Sequence, residues 1–349
     1  MGVPKEDDII VDDVAHLPVI NLQEFLSDSL EQCNLVASCL SKYGVLVIKD
    51  PRVSEDDNDK FINMMERYFD STDYKTDAKP EYSYQVGVTP PLVEKPRNHC
   101  SRIANMSDKP TTLCPPELDK KSRFFWRIGS RPTVTSFEDL NAPPVIPPAF
   151  KNEWEDTMNT WGYKMLDAVT VVAEMAAIGM NLPRNSFTSL MHNGPHLLAP
   201  TGSDFSKYGT LNTVLAGYHY DLNLMTIHGK SRFPGLFVWL RDGTKVRVIV
   251  PDGCLLVQAG KQMEILTSGN VLAGYHEVVV TSETLTAIQD AKDAGRSLHR
   301  VSSTLFSHVA SDALLKPLVA NEEDKTPVVL AGTQVRKELE KIQLSFKSG

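Results

Sequence analysis

The sequence predicts a mainly β fold with flanking helices: a sandwich or barrel of strands with one long helix packed on a sheet. Three observations predict it. Residues 197–309 break into runs of four to eight apolar or alternating residues, separated by the turn signals RFPG, RDGTK, PDG and TSGN. Residues 151–180 instead carry Trp154, Met158, Trp161, Met165, Val169, Val172 and Ala176 at steps of three and four, the period of a helix face. Residues 17–71 read strand, helix, strand, helix.

The elements follow in order. LPVINL (17–22) is short and β-branched. LEQCNLVASCLSKYG (30–44) spaces Leu30, Leu35, Val36, Cys39 and Leu40 as a helix and ends at Gly44. GVLVIKDP (44–51) is a buried-type strand stopped by Pro51. Ser54 caps an acidic first turn, EDD, before the apolar face Phe61, Met64, Met65, Tyr68 and Phe69. Residues 74–150 are rich in Pro, Asp, Lys and Thr, which predicts long loops and short strands of the kind that bind or cover ligands. The helix of 151–180 stops at Leu182-Pro183; its Trp and Met stripe reads as core. RDGT (241–244) is a hairpin turn, and 333–344 is a last helix with Val335, Leu339 and Ile342 on one face. The chain divides into an N-terminal region (1–150), the long helix and its connection (151–195), a β core (196–315) with an insert at about 282–298, and a C-terminal tail and helix (316–349).

Composition narrows the function. The chain has 349 residues, 42% hydrophobic, and a formal net charge of −8. That is a soluble globular balance, and with no Lys/Arg-rich run it argues against nucleic acid. No apolar run reaches membrane-spanning length. MGVPKEDDIIVDD has no apolar signal core, and Gly2 lacks the Ser or Thr at position 6 that myristoylation wants. The five cysteines, Cys33, Cys39, Cys100, Cys114 and Cys254, are odd in number and form no CxxC pair. Neither a disulfide framework nor a zinc ribbon is expected, and the expected setting is the reducing cytoplasm, with nuclear entry open.

YHYDLN (218–223) carries the chemistry. On a strand, His219 and Asp221 share a face. Alone they read as a polar pair at a strand end. His276, opening the β-branched run YHEVVVT further along, changes that. Two imidazoles and a carboxylate on neighbouring strands can hold one face of a metal and leave the other open, the facial triad of non-haem Fe(II) oxygenases. In HRVSSTLFSHV (299–309), Arg300 and Ser302 alternate onto one face, either as a carboxylate clamp or as a solvated strand face.

The order His-x-Asp, His, Arg-x-Ser resembles the 2-oxoglutarate- and Fe(II)-dependent dioxygenases, in the isopenicillin N synthase-like branch with its many plant members. LPVINL, YGVLVIKDPRVSEDDNDKF, PGLFVWLRDGTKVRVIVPDGCLLVQAG and the later TSGN resemble flanking segments of that branch. The resemblance implies a double-stranded β-helix (jelly-roll) core. It implies Fe(II) on His219, Asp221 and His276, and 2-oxoglutarate gripped by Arg300 and Ser302. O2 is then the oxidant and ascorbate an accessory, with no catalytic residue beyond the metal ligands. The implied reaction hydroxylates or desaturates a small organic molecule and releases succinate and CO2. Two alternatives keep the fold: an Fe(II) oxidase of the isopenicillin N synthase type that uses no 2-oxoglutarate, and a non-catalytic binding protein. A cupin-like binder matches the β content but not the ligand order.

The sequence departs from the branch in three places. The stretch between His276 and Arg300 is long, and SETLTAIQDAKDAGRS reads there as an inserted helix or loop, a candidate cover for the pocket. The branch's Tyr-Tyr-Pro-Pro-type strand is replaced by HLLAPTGSDFSKYG, so no co-substrate tyrosine carries over. Gly260-Lys261 stands where Gly-Asp is usual. His228 and His308 lie within reach of the site but read as core or surface residues, and His192 and His196 sit before the core and carry no motif. The substrate pocket is expected from residues 74–150, Phe237, Trp239 and the C-terminal helix. In RFFWRIGSRP (123–132), Arg127 and Arg131 read as solvated cations on a core edge rather than as partners of an acid.

Overall fold

The computed structural model describes residues 17–25, 29–319 and 327–344. The acidic stretch 1–13 and the Gly2 position lie outside them. The chain opens with β1 (Val19–Asn21), the short helix α1 (Leu22–Phe25), α2 (Leu30–Tyr43), β2 (Val45–Lys49) and α3 (Glu55–Ser71). The loop-rich region holds β3 (Gly87–Thr89), the short helix α4 (Cys100–Ala104) and β4 (Ser122–Ile128). The long helix α5 (Trp154–Gly179) leads through α6 (Thr188–Met191) to β5 (His196–Leu198), β6 (Thr201–Asp204) and α7 (Phe205–Tyr208). Then come β7 (Val214–Tyr220), β8 (Met225–His228), β9 (Leu236–Trp239), β10 (Lys245–Arg247), β11 (Leu255–Ala259), α8 (Lys261–Leu266) and β12 (Tyr275–Val279). α9 (Ser282–Asp293), β13 (His299–Ser302), β14 (Thr304–Ser307) and α10 (Ala331–Lys341) complete the described elements used below.

Two sheets result. One runs β1-β2-β11-β8-β14-β5-β4-β6-β13 with β3 on β4; the other runs β10-β9-β12-β7. Together they form the jelly roll. Alternation along single strands shows how they are covered. Leu46 and Ile48 of β2 enter the core under the helices, while Val45 and Val47 join Val238, Val246 and Leu256 in a second core. That two-sided burial is why VLVIK is apolar throughout.

The helix layer rests on local signals. Ser29 accepts from the Gln32 N–H at the start of α2, and Gly44 ends it at φ 69°, a conformation that favours glycine. α5 packs on α2 so closely at Gly179 that a Cβ there would stand 2.1 Å from the Cys33 carbonyl oxygen. Trp154, Trp161, Met165 and Val172 are fully buried along its length, as their spacing predicts. Among the described residues, no helix is long and apolar enough to cross a membrane.

Two expectations change, and a third, open between helix and loop, is resolved. HRVSSTLFSHV is two strands rather than one, because β13 pairs with β6 while β14 pairs with β8 and β5. The stretch after His276 is a helix, α9, whose Leu285, Ile288 and Ala291 pack with Phe205, Leu215 and Phe233. Cys100 and Cys114 form a disulfide, while Cys33, Cys39 and Cys254 are free and buried. An odd count excludes full pairing, not a single bridge.

α3 begins with a capping box. Ser54 Oγ accepts from the Asp57 N–H, and the Asp57 carboxylate accepts from the Ser54 N–H. Lys164 of α5 donates to the same carboxylate at 2.5 Å. Partial burial opposes the charge, but Lys164 and Ser54 outweigh it and hold Asp57 at about 2. A depressed carboxylate pKa contributes stability that is present above the unfolded value, about 3.9, and is lost as pH falls through about 2. Ser54→Ala is expected to cost about 1 kcal/mol in urea unfolding. Asp57→Asn should flatten the acid dependence of stability across that window.

Candidate metal centre

The pairing of β7 with β12 sets His276 directly opposite His219, where side chains on the same face of a sheet meet. Their ring centroids lie 4.2 Å apart. Asp221 follows β7, and its Oδ1 stands 3.8 Å from His219 Nε2 and 3.9 Å from His276 Nε2. One ligand atom from each residue fits within a 4.8 Å span. Thr226 Oγ1 donates to Asp221 Oδ2 at 2.6 Å and fixes the carboxylate. His219 Nδ1 lies 2.6 Å from the Gly217 carbonyl oxygen; as donor to it, the ring turns the Nε2 lone pair toward Asp221. Burial and the neighbouring His276 push the His219 pKa down to about 3, which keeps its imidazole neutral. Burial works to raise Asp221, but His276, His219 and Thr226 outweigh it and hold the carboxyl ionised. Two nitrogen lone pairs and a carboxylate converging in a buried space suit a divalent first-row cation.

Arg300 and Ser302 lie further along the interior. They line a second cavity together with His228, Phe233, Leu236 and Val248. No carboxylate pairs with Arg300 among the described residues, and its buried Nε has no hydrogen-bond partner. Burial lowers its pKa to about 10, so it stays cationic at neutral pH. A buried, unpaired cation is costly unless an anion joins it. His228 stands between the two groups. Its ring is 6.5 Å from that of His276, and its nitrogens lie 3.1 Å from Gln258 Oε1 and 3.0 Å from Thr304 Oγ1. Ser302 Oγ is 2.7 Å from Thr304 Oγ1. Gln258 Nε2 is a further buried donor without a partner. Arg300, Ser302, Thr304, Phe306 and His308 therefore keep one parity along the interior despite the break at Ser303.

A third feature is the cavity beside His219 and Asp221. Glu94, Arg97, Asp119 and Arg123 come to its wall from the loop-rich region, as expected of residues 74–150. Phe125, Leu197 and Phe306 give it an apolar side, and Glu338 and Leu339 of α10 close it. His308 also lines it, whereas His196 is a core residue bonded to the Met191 carbonyl at 3.0 Å and His192 is exposed. Phe237 and Trp239 do not line it. They pack with Ile103, Tyr218 and Tyr275, because the intervening Val238 takes the inward position of β9. Arg127 and Arg131 bind Asn141 and backbone carbonyls at the edge of the fold. No residue of α9 lines either cavity.

Several residues of the site escaped the sequence reading. Lys121 bonds Glu94 at 3.2 Å and also bonds Asp119, while Arg123 bonds Glu94. The period-two run Lys121, Arg123, Phe125 was the available signal. Glu277, next to His276 and on the opposite face, is fully buried. It accepts from Thr111 N at 2.8 Å, Thr112 N at 3.1 Å, Thr112 Oγ1 at 2.8 Å and Lys245 Nζ at 3.0 Å. Thr112 Oγ1 in turn accepts from the Tyr218 N–H at 2.7 Å. The loop closed by the Cys100–Cys114 disulfide is thus fastened to both strands that carry the histidines.

The sequence model of the 2OG-Fe(II) oxygenase superfamily matches residues 187–309. This segment resembles a 2OG-Fe(II) oxygenase domain. Fe(II) and 2-oxoglutarate are the cofactors of that superfamily. The match spans β5 to β14 and contains His219, Asp221, His276, Arg300 and Ser302. No curated protein matches the sequence. Solved structures extend the likeness over nearly the whole chain. A Caulobacter crescentus protein assigned to the 2OG-Fe(II) oxygenase family is 20% identical, with TM-score 0.70 over 94% of this chain and 99% of that one. A full-length Neurospora crassa protein, solved in complex with alpha-KG and thymine, is 18% identical, with TM-score 0.71 over 93% and 96%. The rice dioxygenase for auxin oxidation is 14% identical, with TM-score 0.65 over 95% and 98%. At these identities the likeness to the solved structures is one of fold.

Thr112→Val removes the acceptor for Tyr218 N–H and a donor to Glu277, leaving buried groups unpaired. It is expected to lower stability by about 1–3 kcal/mol and to speed limited proteolysis within residues 97–114. An unchanged cleavage rate would mean that Thr112 does not hold the loop.

Proposed function

We propose that the chain binds Fe(II) through His219, Asp221 and His276 and 2-oxoglutarate through Arg300 and Ser302, and that it hydroxylates or desaturates a small organic molecule with release of succinate and CO2. The observation that carries the proposal is the buried Arg300. It is a cation with no carboxylate partner among the described residues, in line with the His–Asp–His cluster and separated from it by polar interior groups. A ligand with a chelating keto acid at one end and a free carboxylate at the other matches that arrangement. Arg300 would take the far carboxylate with its guanidinium and Ser302 with its hydroxyl.

Bound iron supplies the activation of O2 and the oxidising power for C–H cleavage. The protein's part is geometry. The Gly217 carbonyl fixes the His219 tautomer, and Thr226 fixes the Asp221 carboxylate. His228, held by Gln258 and Thr304, occupies the interior between the two ends and would pack against the bound co-substrate in place of the absent tyrosine. Phe125, Leu197 and Phe306 keep water from the substrate side. The alkyl or ring carbon to be oxidised would sit beside Asp221, in the cavity walled by those residues.

The test is anaerobic titration of the protein with Fe(II) and then 2-oxoglutarate, followed by visible absorption. A weak charge-transfer band should appear only when both are present. His219→Ala should abolish iron binding. Arg300→Ala should retain iron and weaken 2-oxoglutarate by about 10- to 100-fold, the worth of a hydrogen bond to a charged group. Iron binding without the band would instead support an oxidase that reserves Arg300 for another carboxylate. No iron binding would sink the proposal.

A further inference from the structure

The wall of the cavity beside Asp221 is unusual in its charge balance. Five charged side chains come from outside the strands that hold the cluster: Glu94, Arg97, Asp119, Arg123 and Glu338. Lys121 stands just behind Asp119. Every cation is already matched. Arg97 pairs with Glu338 at 3.1 Å and bonds Tyr220. Lys121 and Arg123 are shared between Glu94 and Asp119. These four are all buried. Burial works to raise Glu94, but Arg123 and Lys121 outweigh it and hold it at about 2. Burial and Glu94 push Asp119 up to about 6 against the pull of Lys121, so both carboxylates are ionised at neutral pH. The imidazoles of His99 and His308 are neutral, because burial drives their pKa values well below the usual range. Contrast Arg300, buried in the interior with no acid beside it.

What the wall does leave open is hydrogen-bonding capacity. His99 Nε2, Arg123 Nε and His308 Nδ1 are buried without partners, and all three residues line this cavity. The Arg123 guanidinium lies over Phe125, 4.7 Å from its centroid, and faces Phe306 at 5.8 Å. The cavity therefore joins aromatic faces to an unpaired donor, Arg123 Nε, and to two imidazole nitrogens that donate or accept according to their tautomer.

From this we infer that the substrate is a small uncharged molecule with an apolar body and carbonyl or ring-nitrogen acceptors, and that the cavity discriminates against carboxylic acids. The inference rests on the iron and 2-oxoglutarate assignment for the location of the substrate. It rests on the wall alone for the substrate's charge. An anion entering this site would be stripped of water and would meet no free cation. To gain a partner it would have to break Arg123 from Glu94, leaving that carboxylate with Lys121 alone, or Arg97 from Glu338, leaving that one with Lys341 and the Tyr220 hydroxyl. The metal end offers no surplus either. Fe(II), Asp221, dianionic 2-oxoglutarate and Arg300 sum to zero formal charge. A neutral carbonyl or ring nitrogen, by contrast, satisfies an orphan donor and disturbs no ion pair.

The experiment uses isosteric pairs, benzoate with benzamide and cyclohexanecarboxylate with cyclohexanecarboxamide. Each is titrated at pH 7.5 into the full chain, followed by ligand-observed NMR, with and without Fe(II) and 2-oxoglutarate under anaerobic conditions. The amide of each pair should bind at least tenfold more tightly than the acid. Glu338→Gln, which frees Arg97 at the rim, should shrink that ratio by tenfold or more, and Glu94→Gln, which frees Arg123, should do the same. Acids that bind as tightly as their amides to the 2-oxoglutarate-loaded protein, or to metal-free Arg300→Ala, would overturn the inference. So would a ratio unmoved in both variants while their circular dichroism and thermal unfolding match the parent. The metal-free arm is run on Arg300→Ala, which removes the other buried cation that a carboxylate would seek, and it reads the wall even if the charge-transfer band never forms, so failure of the iron assignment and failure of the substrate class are told apart.

Discussion

The register of β7 against β12 is the constraint on which the rest depends. His219 faces His276 only because these two strands pair as they do. A slip by one residue would turn one imidazole to the outer face. The outer face holds the register in place. Glu277, beside His276, is tied to residues 111 and 112, and Thr112 is tied to Tyr218 beside His219. Asp119 Oδ1 adds a bond from the Gly217 N–H at 2.8 Å. A buried carboxylate that never reaches the site thus fixes the spacing of two groups that form it.

The interior of the sandwich is graded. Val45, Val47, Val246 and Leu256 fill one part. Thr226, His228, Gln258 and Thr304 fill the part between the cluster and Arg300, where they satisfy one another with few exceptions. Such groups contribute little net stability compared with packed aliphatic side chains. The opposite face of the same strands offsets this. Leu46, Ile48, Ile227, Leu255, Val257 and Leu305 point the other way and join the helix core that includes α5. One surface of the large sheet is given to folding and the other to binding.

Much of this could be read in advance. The helices 30–44, 55–71 and 151–180 declare themselves by period, caps and Gly44, because their signals are local. The strand runs of the core do the same. The cluster His219, Asp221, His276 was legible through alternation and order, since strand geometry fixes which side chains share a face. The wall was harder. Glu94, Asp119, Lys121 and Arg123 lie in a stretch without clear period, and only the fold brings them to Asp221. Glu338, one residue before Leu339 on the last helix, belongs to no motif. Trp239 was misplaced because parity in a four-residue strand flips with a one-residue choice of which side faces inward. The break at Ser303 carries no sequence signal of its own; it arises because β13 and β14 find different partners.

The cavity wall has one more consequence. Apart from Asp221, its charged members come from residues 94–123 and from α10, outside the matched segment 187–309. The groups proposed to hold the metal and those proposed to select the substrate therefore sit in separate stretches of the chain. The last helix can change without touching the pairing of the cluster's strands, whereas the 94–123 flank also holds their register through Thr111, Thr112 and Asp119, so selectivity on that side is tied to the centre.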